Sequence, residues 1–241
     1  MDLPDLRLPL YQRLRDQVAQ QIAHNVWRPG EAIPTEAELA ATHGVAVGTV
    51  RKAMDALVAD GLVERRQGRG TFVRRPNFDA SLFRFFRYHS PDGARTVPEG
   101  RILARETLPA SLPVRDALRL QDAEEVIRLS RLRLIAGKPV LSEEIWLPLH
   151  RFGPILTAEP GEIGDLLYPA YERLCGELVA RAEETMIVGT ATKDDVQLLG
   201  LAQGDPVVVI ERLAFGYDNK PVEWRRTHGS AAAFRYHIEI R

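Results

Sequence analysis

The chain has 241 residues, 45% hydrophobic and 27% charged, which excludes a disordered or low-complexity polymer and leaves room for one large domain or two modest ones. No apolar run approaches the roughly 20 residues of a membrane-spanning helix, and a lone cysteine, Cys175, excludes an internal disulfide and fits a reducing, cytoplasmic setting. The net charge of −1 is unevenly spread: −2 over residues 1–60, +4 over 61–75 and −3 over 76–241, so positive charge is focused on one short arm.

The opening Met1-Asp2-Leu3-Pro4-Asp5 is acidic where a signal peptide carries lysine and an apolar run, so no leader is expected. Leu10, Leu14, Val18 and Ile22 then recur every four residues and predict an amphipathic helix over about 10–26, stopped by Arg28-Pro29-Gly30. Thr35 with Glu38 three positions on forms a capping-box pattern for a short helix to about Thr42, and His43-Gly44 breaks it. A third helix is expected from about Val47 to Asp60. Val47, Val50, Met54, Leu57 and Val58 share its apolar arc, leaving Gly48, Arg51, Lys52 and Asp55 outward. Two short helices joined by a glycine turn, the second with a small and basic outer face, describe a helix-turn-helix.

Residues 62–73, Leu-Val-Glu-Arg-Arg-Gln-Gly-Arg-Gly-Thr-Phe-Val, read as a hairpin with arginines at its tip. Directly after the third helix, such a hairpin is a wing, and Arg69 at its tip could enter a minor groove.

These residues resemble the GntR family of bacterial regulators over about 9–73. Pro9-Leu10-Tyr11, Arg28-Pro29-Gly30, Pro34-Thr35-Glu36, Glu38-Leu39-Ala40, Gly44-Val45, Thr49-Val50-Arg51 and Gly68-Arg69-Gly70-Thr71-Phe72-Val73 carry the resemblance. It implies a DNA-contacting set of Thr35, Glu36, Gly48, Thr49, Arg51 and Lys52, with Arg65, Arg66, Gln67, Gly68, Arg69, Gly70 and Thr71 on the wing. The chain departs from the family at Ala37 and Val47, where arginine is common, and at Ala46, where a serine usually caps the recognition helix. Losing that cap costs roughly 1 kcal/mol, and operator binding is expected to lean on Arg51, Lys52 and the wing.

Residues 76–100 read as a hinge, with the aromatic run Leu82-Phe83-Arg84-Phe85-Phe86-Arg87-Tyr88 expected to pack on the next domain. From Arg101 the pattern is strand-rich. Strands are expected at 102–108, 126–135, 140–147, 178–190, 207–216, 222–227 and 234–240, with helices near 113–119, 162–175 and 193–200. This is an α+β domain on an antiparallel sheet, and with the N-terminal head it makes a two-domain α+β chain: 1–75, hinge 76–100, and 101–241. A faint repeat sets Leu118-Arg119-Leu120 and the stretch to Lys138-Pro139-Val140 against Leu199-Gly200-Leu201 and the stretch to Lys220-Pro221-Val222, suggesting two similar hairpins.

Arg131 and Arg133 stand two apart, on one face of a strand. A turn centred on Gly137 sets Arg131 opposite Glu143; a loop one residue different would bring Glu144 there instead. Paired guanidinium groups suit a phosphate or carboxylate, while the same spacing also fits a surface ion pair worth under about 1 kcal/mol.

This half resembles the UTRA effector domain of the HutC subfamily over about 95–240, on Arg131-Leu132-Arg133, Lys138-Pro139-Val140, Trp146-Leu147-Pro148, Leu167-Tyr168, Pro221-Val222-Glu223 and Phe234-Arg235-Tyr236. The resemblance implies a chorismate lyase-like fold and an effector site of Arg131, Arg133, Glu143, Glu223 and Tyr236. It also implies a homodimer that binds double-stranded operator DNA, most often as a repressor relieved by its ligand. The expected effector is a sugar phosphate or organic acid. Neither cofactor nor metal is expected, and no enzyme: the six histidines are scattered, and no nucleophile elbow or phosphate-binding glycine loop is present. The alternative is a DNA-binding protein that answers to no ligand.

Overall fold

The computed structural model describes residues 8–75 and 97–234. The aromatic run of the hinge, most of the hinge itself and all but the first residue of the strand expected at 234–240, with Tyr236, lie outside the described residues. Two compact units emerge: 8–75 with Leu178–Arg181 and Phe215–Lys220, and 97–177 with Ala182–Ala214 and 221–234.

In the first unit, α1 spans Leu10–Ala23, α2 Glu36–His43 and α3 Val47–Ala59. Leu14, Val18 and Ile22 of α1 meet Leu39 of α2 and Val50, Met54 and Leu57 of α3 in one core. Two apolar expectations fail. Leu10 and Val47 are exposed, because each opens its helix and the stripe tightens only from the second turn. The Thr35–Glu38 capping box forms as expected, and Gly44 ends α2 in the left-handed region at φ 62°. At α3, Ala46 occupies the cap position with no side-chain bond.

Strands β1 (Val63–Arg66) and β2 (Gly70–Val73) pair antiparallel. The segment 30–33 lays an extra edge on β2: Gly30 N donates to Val73 O at 2.8 Å and Ile33 N to Thr71 O at 2.9 Å.

The second unit is built on a six-stranded sheet ordered β3-β4-β5-β8-β7-β6. Its strands are β3 Glu99–Pro109, β4 Glu125–Ile135, β5 Lys138–Pro148, β6 Val179–Thr190, β7 Pro206–Gly216 and β8 Pro221–Ser230. The two hairpins suggested by the repeat are β4–β5 and β7–β8, adjacent through the β5–β8 pairing. Ala136 and Gly137 turn the first hairpin with φ 49° and 74°, the left-handed pair of a tight hairpin turn. Register then puts Arg131 opposite Glu143.

One sheet face is apolar and aromatic. Trp146 and Trp224 are direct cross-strand partners with ring centroids 4.8 Å apart, and α4 (Leu112–Leu118) packs there through Val114 and Leu118. That face also carries solvent-accessible ion pairs, Arg128 with Glu106 and Arg226 with Glu211; the other face combines buried Ile127, Leu129, Ile145 and Leu147 with the buried charges. A short helix α5, Leu149–Phe152, follows β5, and the single helix expected over 162–175 is broken into α6 Pro160–Ile163 and α7 Leu167–Ala170, followed by one π-helical turn, Tyr171–Cys175. Gly164 makes the break at φ 65°, ψ −165°, a region essentially restricted to glycine. Helix α8 is Lys193–Leu199. No helix among the described residues is long and apolar enough to cross a membrane.

Candidate functional site

Two surfaces carry chemistry, one in each unit. On the head, α3 presents Gly48, Arg51 and Lys52 to solvent, with Thr49 half-buried. The wing presents Arg65, Arg66, Gln67, Gly68, Arg69 and Gly70, with Thr71 half-buried. Thr35 is occupied as the cap of α2, its hydroxyl 2.8 Å from Glu38 Oε2. Glu36 joins the helices to the wing: it accepts from Arg51 Nε at 2.9 Å and Arg65 Nη2 at 3.3 Å, and Arg65 also pairs with Asp55 at 2.7 Å. Arg66 is held by Glu64 at 2.8 Å and lies over the Phe72 ring. Arg69 touches only the rim of that ring, 6.0 Å from its centroid. Among the described residues neither Lys52 nor Arg69 has an ion-pair partner, so their full charge faces outward.

In the second unit, the face opposite the tryptophans holds a belt of buried charge. Arg131 and Arg133 come from β4, Glu143 from β5, Glu223 and Arg225 from β8 and Arg212 from β7, and all six are buried. Arg131 donates Nε and Nη2 to Glu143 Oε2, each at 2.7 Å. Arg225 reaches Glu143 Oε1 at 3.4 Å and Glu223 Oε2 at 2.7 Å. The hydroxyls of Tyr168 and Tyr171 donate to Glu223 at 3.2 and 2.7 Å. Arg212 pairs with Glu184 and reaches the Tyr168 hydroxyl at 3.4 Å.

The surface ion pair that the spacing also allowed is thereby ruled out: Arg131 and Glu143 are each 2% exposed. Burial alone would raise the Glu143 carboxyl, but Arg131, Arg225 and Arg133 outweigh it and hold it at about 2. The two tyrosines respond oppositely. Burial, reinforced by the Glu223 charge, pushes Tyr168 up to about 12 and Tyr171 well above its usual value, so both stay protonated donors.

Two arginines of the belt keep a buried nitrogen without a hydrogen-bond partner among the described residues, Arg225 at Nε and Arg133 at Nη2, and of the two only Arg133 has no ion-pair partner among the described residues. Its Nη1 donates to the Asp165 main-chain carbonyl, while Nη2 is buried with no hydrogen-bond partner among the described residues. Burial pulls it down to about 10; Glu143 opposes that fall, and Arg131 and Arg225 add to it.

Of the effector residues read from the sequence, the structure brings Arg131, Arg133, Glu143 and Glu223 into this belt. Tyr236 lies outside the described residues. The sequence reading missed Arg225, Arg212, Tyr168, Tyr171 and Asp165. Two signals pointed to them. Glu223 and Arg225 alternate on one strand, and the internal repeat that sets Leu118 on Leu199 sets Arg131 on Arg212 with the same spacing. No cluster of three metal-ligating side chains occurs among the described residues.

Comparison with known proteins agrees with both halves. The family model of the gntR-family bacterial regulatory proteins matches residues 10–73, and that of the UTRA domain matches 94–235. The chain is 30% identical over 221 residues to the mannosyl-D-glycerate transport/metabolism system repressor MngR of Escherichia coli, covering 90% of each chain. It is 31% identical over 236 residues to the HTH-type transcriptional regulator SmoD of Agrobacterium fabrum, covering 97% of each. The fold is also that of PhnF from Mycobacterium smegmatis, with a TM-score of 0.55 at 23% identity over 95% of this chain and 99% of that one. A gntR-type head followed by a UTRA domain, with relatives aligned along nearly the whole length, means that this chain belongs to the GntR family of bacterial transcription regulators.

Proposed function

We propose that the protein is a cytoplasmic, homodimeric repressor whose affinity for operator DNA is set by a small anionic metabolite bound at Arg131 and Arg133. The observation that carries the reading is Nη2 of Arg133, a donor buried among other charges with no hydrogen-bond partner among the described residues. A buried guanidinium N–H left unmade costs about 1–3 kcal/mol or more. A phosphate or carboxylate oxygen there makes the missing bond to a charged donor. Glu143 and Glu223 already accept from arginines and tyrosines, so they hold the arginine forks in place. On the head, Lys52 and Arg69 supply unpaired charge for phosphates, and Arg51 and Arg65 are oriented by Glu36.

The reading is tested by measuring the affinity of the full chain for a DNA fragment carrying its operator. Sugar phosphates and organic acids are added in turn, each beside its neutral parent compound. The expected result is that one anion, and not its neutral parent, weakens DNA binding at least tenfold, a coupling of about 1.4 kcal/mol. If every anion leaves the affinity unchanged, the reading falls and the ligand-independent regulator replaces it.

A further inference from the structure

The arginine pair of the belt has an internal occupant. The main-chain carbonyl of Asp165 accepts from Arg133 Nη1 and, at 3.4 Å, from Arg131 Nη1. This carbonyl stands where an anionic oxygen would be held, and it is the weaker acceptor, because bonds between two charged partners are roughly twice as strong as those to a neutral one.

The same residue is tied to a second place. Asp165 Oδ1 accepts from the Gly100 main-chain N–H at 2.7 Å. Gly100 lies at the start of β3, opposite Arg133 in register, and is closely approached by the site. A Cβ there would come within 3.3 Å of both Arg131 Nη1 and Arg133 Nη1 and 3.4 Å of Asp165 Cα. Residues 76–96, immediately upstream, are the stretch of chain that runs to the DNA-binding head. On the other side of Asp165, Gly164 sits at φ 65°, ψ −165° with open space around its Cα, so the backbone there can turn without a side-chain clash.

We propose that Asp165 is the coupling residue of the effector site: an anion on Arg131 and Arg133 displaces its carbonyl, and its carboxylate then releases the Gly100 amide at the root of the chain segment leading to the DNA-binding head. The proposal rests on the anion reading of the belt and adds how occupancy leaves the site. One residue holds both ends through separate atoms. The carbonyl senses the ligand, and the carboxylate holds the strand. No covalent step is involved.

The test uses the full chain with inorganic phosphate as the probe and chloride at equal ionic strength as the control. Thermal unfolding reports whether phosphate binds. Hydrogen exchange at the Gly100 amide reports whether the strand is released. In the wild type, phosphate is expected to stabilise the fold and to speed Gly100 exchange by about fivefold or more, with the core Ile127 amide unchanged. In Asp165→Ala, Gly100 is expected to exchange fast without phosphate, and phosphate adds no further increase while still stabilising the fold. Asp165→Asn keeps an acceptor at the same atom and is expected to restore slow exchange. If phosphate stabilises the wild type but leaves Gly100 exchange unchanged, the coupling role is wrong and the anion site stands. Slow exchange at Gly100 in Asp165→Ala overturns it equally. If phosphate does not stabilise the wild type, the anion reading itself fails and the coupling goes with it.

Discussion

Arg131 and Glu143 face each other across the β4–β5 hairpin, and both Nε and Nη2 of the arginine donate to one carboxylate oxygen at 2.7 Å in a fully buried setting. An ion pair so placed is worth little net stability against an apolar pair of equal volume, since both charges lose their hydration. Breaking it from one side is another matter. Glu143→Ala leaves Arg131 and Arg225 without their shared acceptor and is expected to cost about 3–5 kcal/mol in urea denaturation. The double change Arg131→Met with Glu143→Met is expected to recover most of that loss while abolishing anion binding. A double variant no more stable than Glu143→Ala would contradict this account of the pair.

Arg133 carries the opposite prediction. Among the described residues it has no ion-pair partner and keeps a buried N–H without a hydrogen bond, so Arg133→Met removes an unfavourable burial. The variant is expected to be as stable as the wild type within about 1 kcal/mol by chemical denaturation. It should bind operator DNA normally and no longer respond to the effector. A large loss of stability would show that Arg133 is a structural charge instead of a ligand donor.

Much of this belt was legible in the sequence. A turn centred on Gly137 put Arg131 opposite Glu143 by counting along two strands, with Glu144 left as the alternative until the two-residue turn at Ala136 and Gly137 decided it. Arg225 could have been found the same way from Glu223. What no pattern held was the third wall. Asp165 contributes a main-chain carbonyl, which every residue has, and it arrives because Gly164 breaks the helix expected over 162–175. Tyr168 and Tyr171 lie just past that break, and their hydroxyls meet Glu223 only through tertiary packing. On the head, the capping box and the core stripe were readable, whereas the ion pairs from Glu36 to Arg51 and Arg65 depend on how α2, α3 and the wing are stacked.

The wing makes a graded prediction about salt. Lys52 and Arg69 face outward without ion-pair partners among the described residues, while Arg65 is shared between Glu36 and Asp55. Each phosphate contact contributes about 0.9 to the slope of log affinity against log salt. Lys52→Ala and Arg69→Ala are each expected to lower that slope by about 1, measured by fluorescence anisotropy over a salt series. Arg65→Ala should lower it by less, because releasing Glu36 and Asp55 changes the local charge as well. Equal slopes for all three variants and the wild type would remove both α3 and the wing from the interface.

Ala46 gives a stabilising prediction. It holds the cap position of α3 in extended geometry with no side-chain bond. Ala46→Ser supplies a hydroxyl for the free N–H groups of the first turn and is expected to raise the stability of the head by about 1 kcal/mol. Thermal denaturation that shows no gain would mean those groups are already satisfied.

Acid should unfold the second unit early. Glu143 is held at about 2 against an ordinary 4.5, burial opposing and three arginines prevailing. Asp195 is also held low; burial opposes, and the bonds from Thr192 and the pairing with His228 prevail. A carboxylate with a depressed folded value stabilises the fold fully above its unfolded value and loses that contribution as pH falls towards the folded one. Stability is therefore expected to drop between about pH 4.5 and 2. The drop should be shallower in the Arg131→Met, Glu143→Met double variant, which lacks the largest of these shifts. An identical slope in denaturation midpoints from pH 5 to 3 would contradict the assignment.

The most direct test of the central claim is thermal unfolding of the wild type and Arg133→Met side by side against sugar phosphates, organic acids and their neutral parents. A ligand at 100 times its Kd adds about 2.7 kcal/mol of stability. The account predicts that at least one anion raises the wild-type midpoint, that its neutral parent does not, and that Arg133→Met shows no rise. Stabilisation that persists in Arg133→Met, or that neutral compounds produce equally, would contradict it.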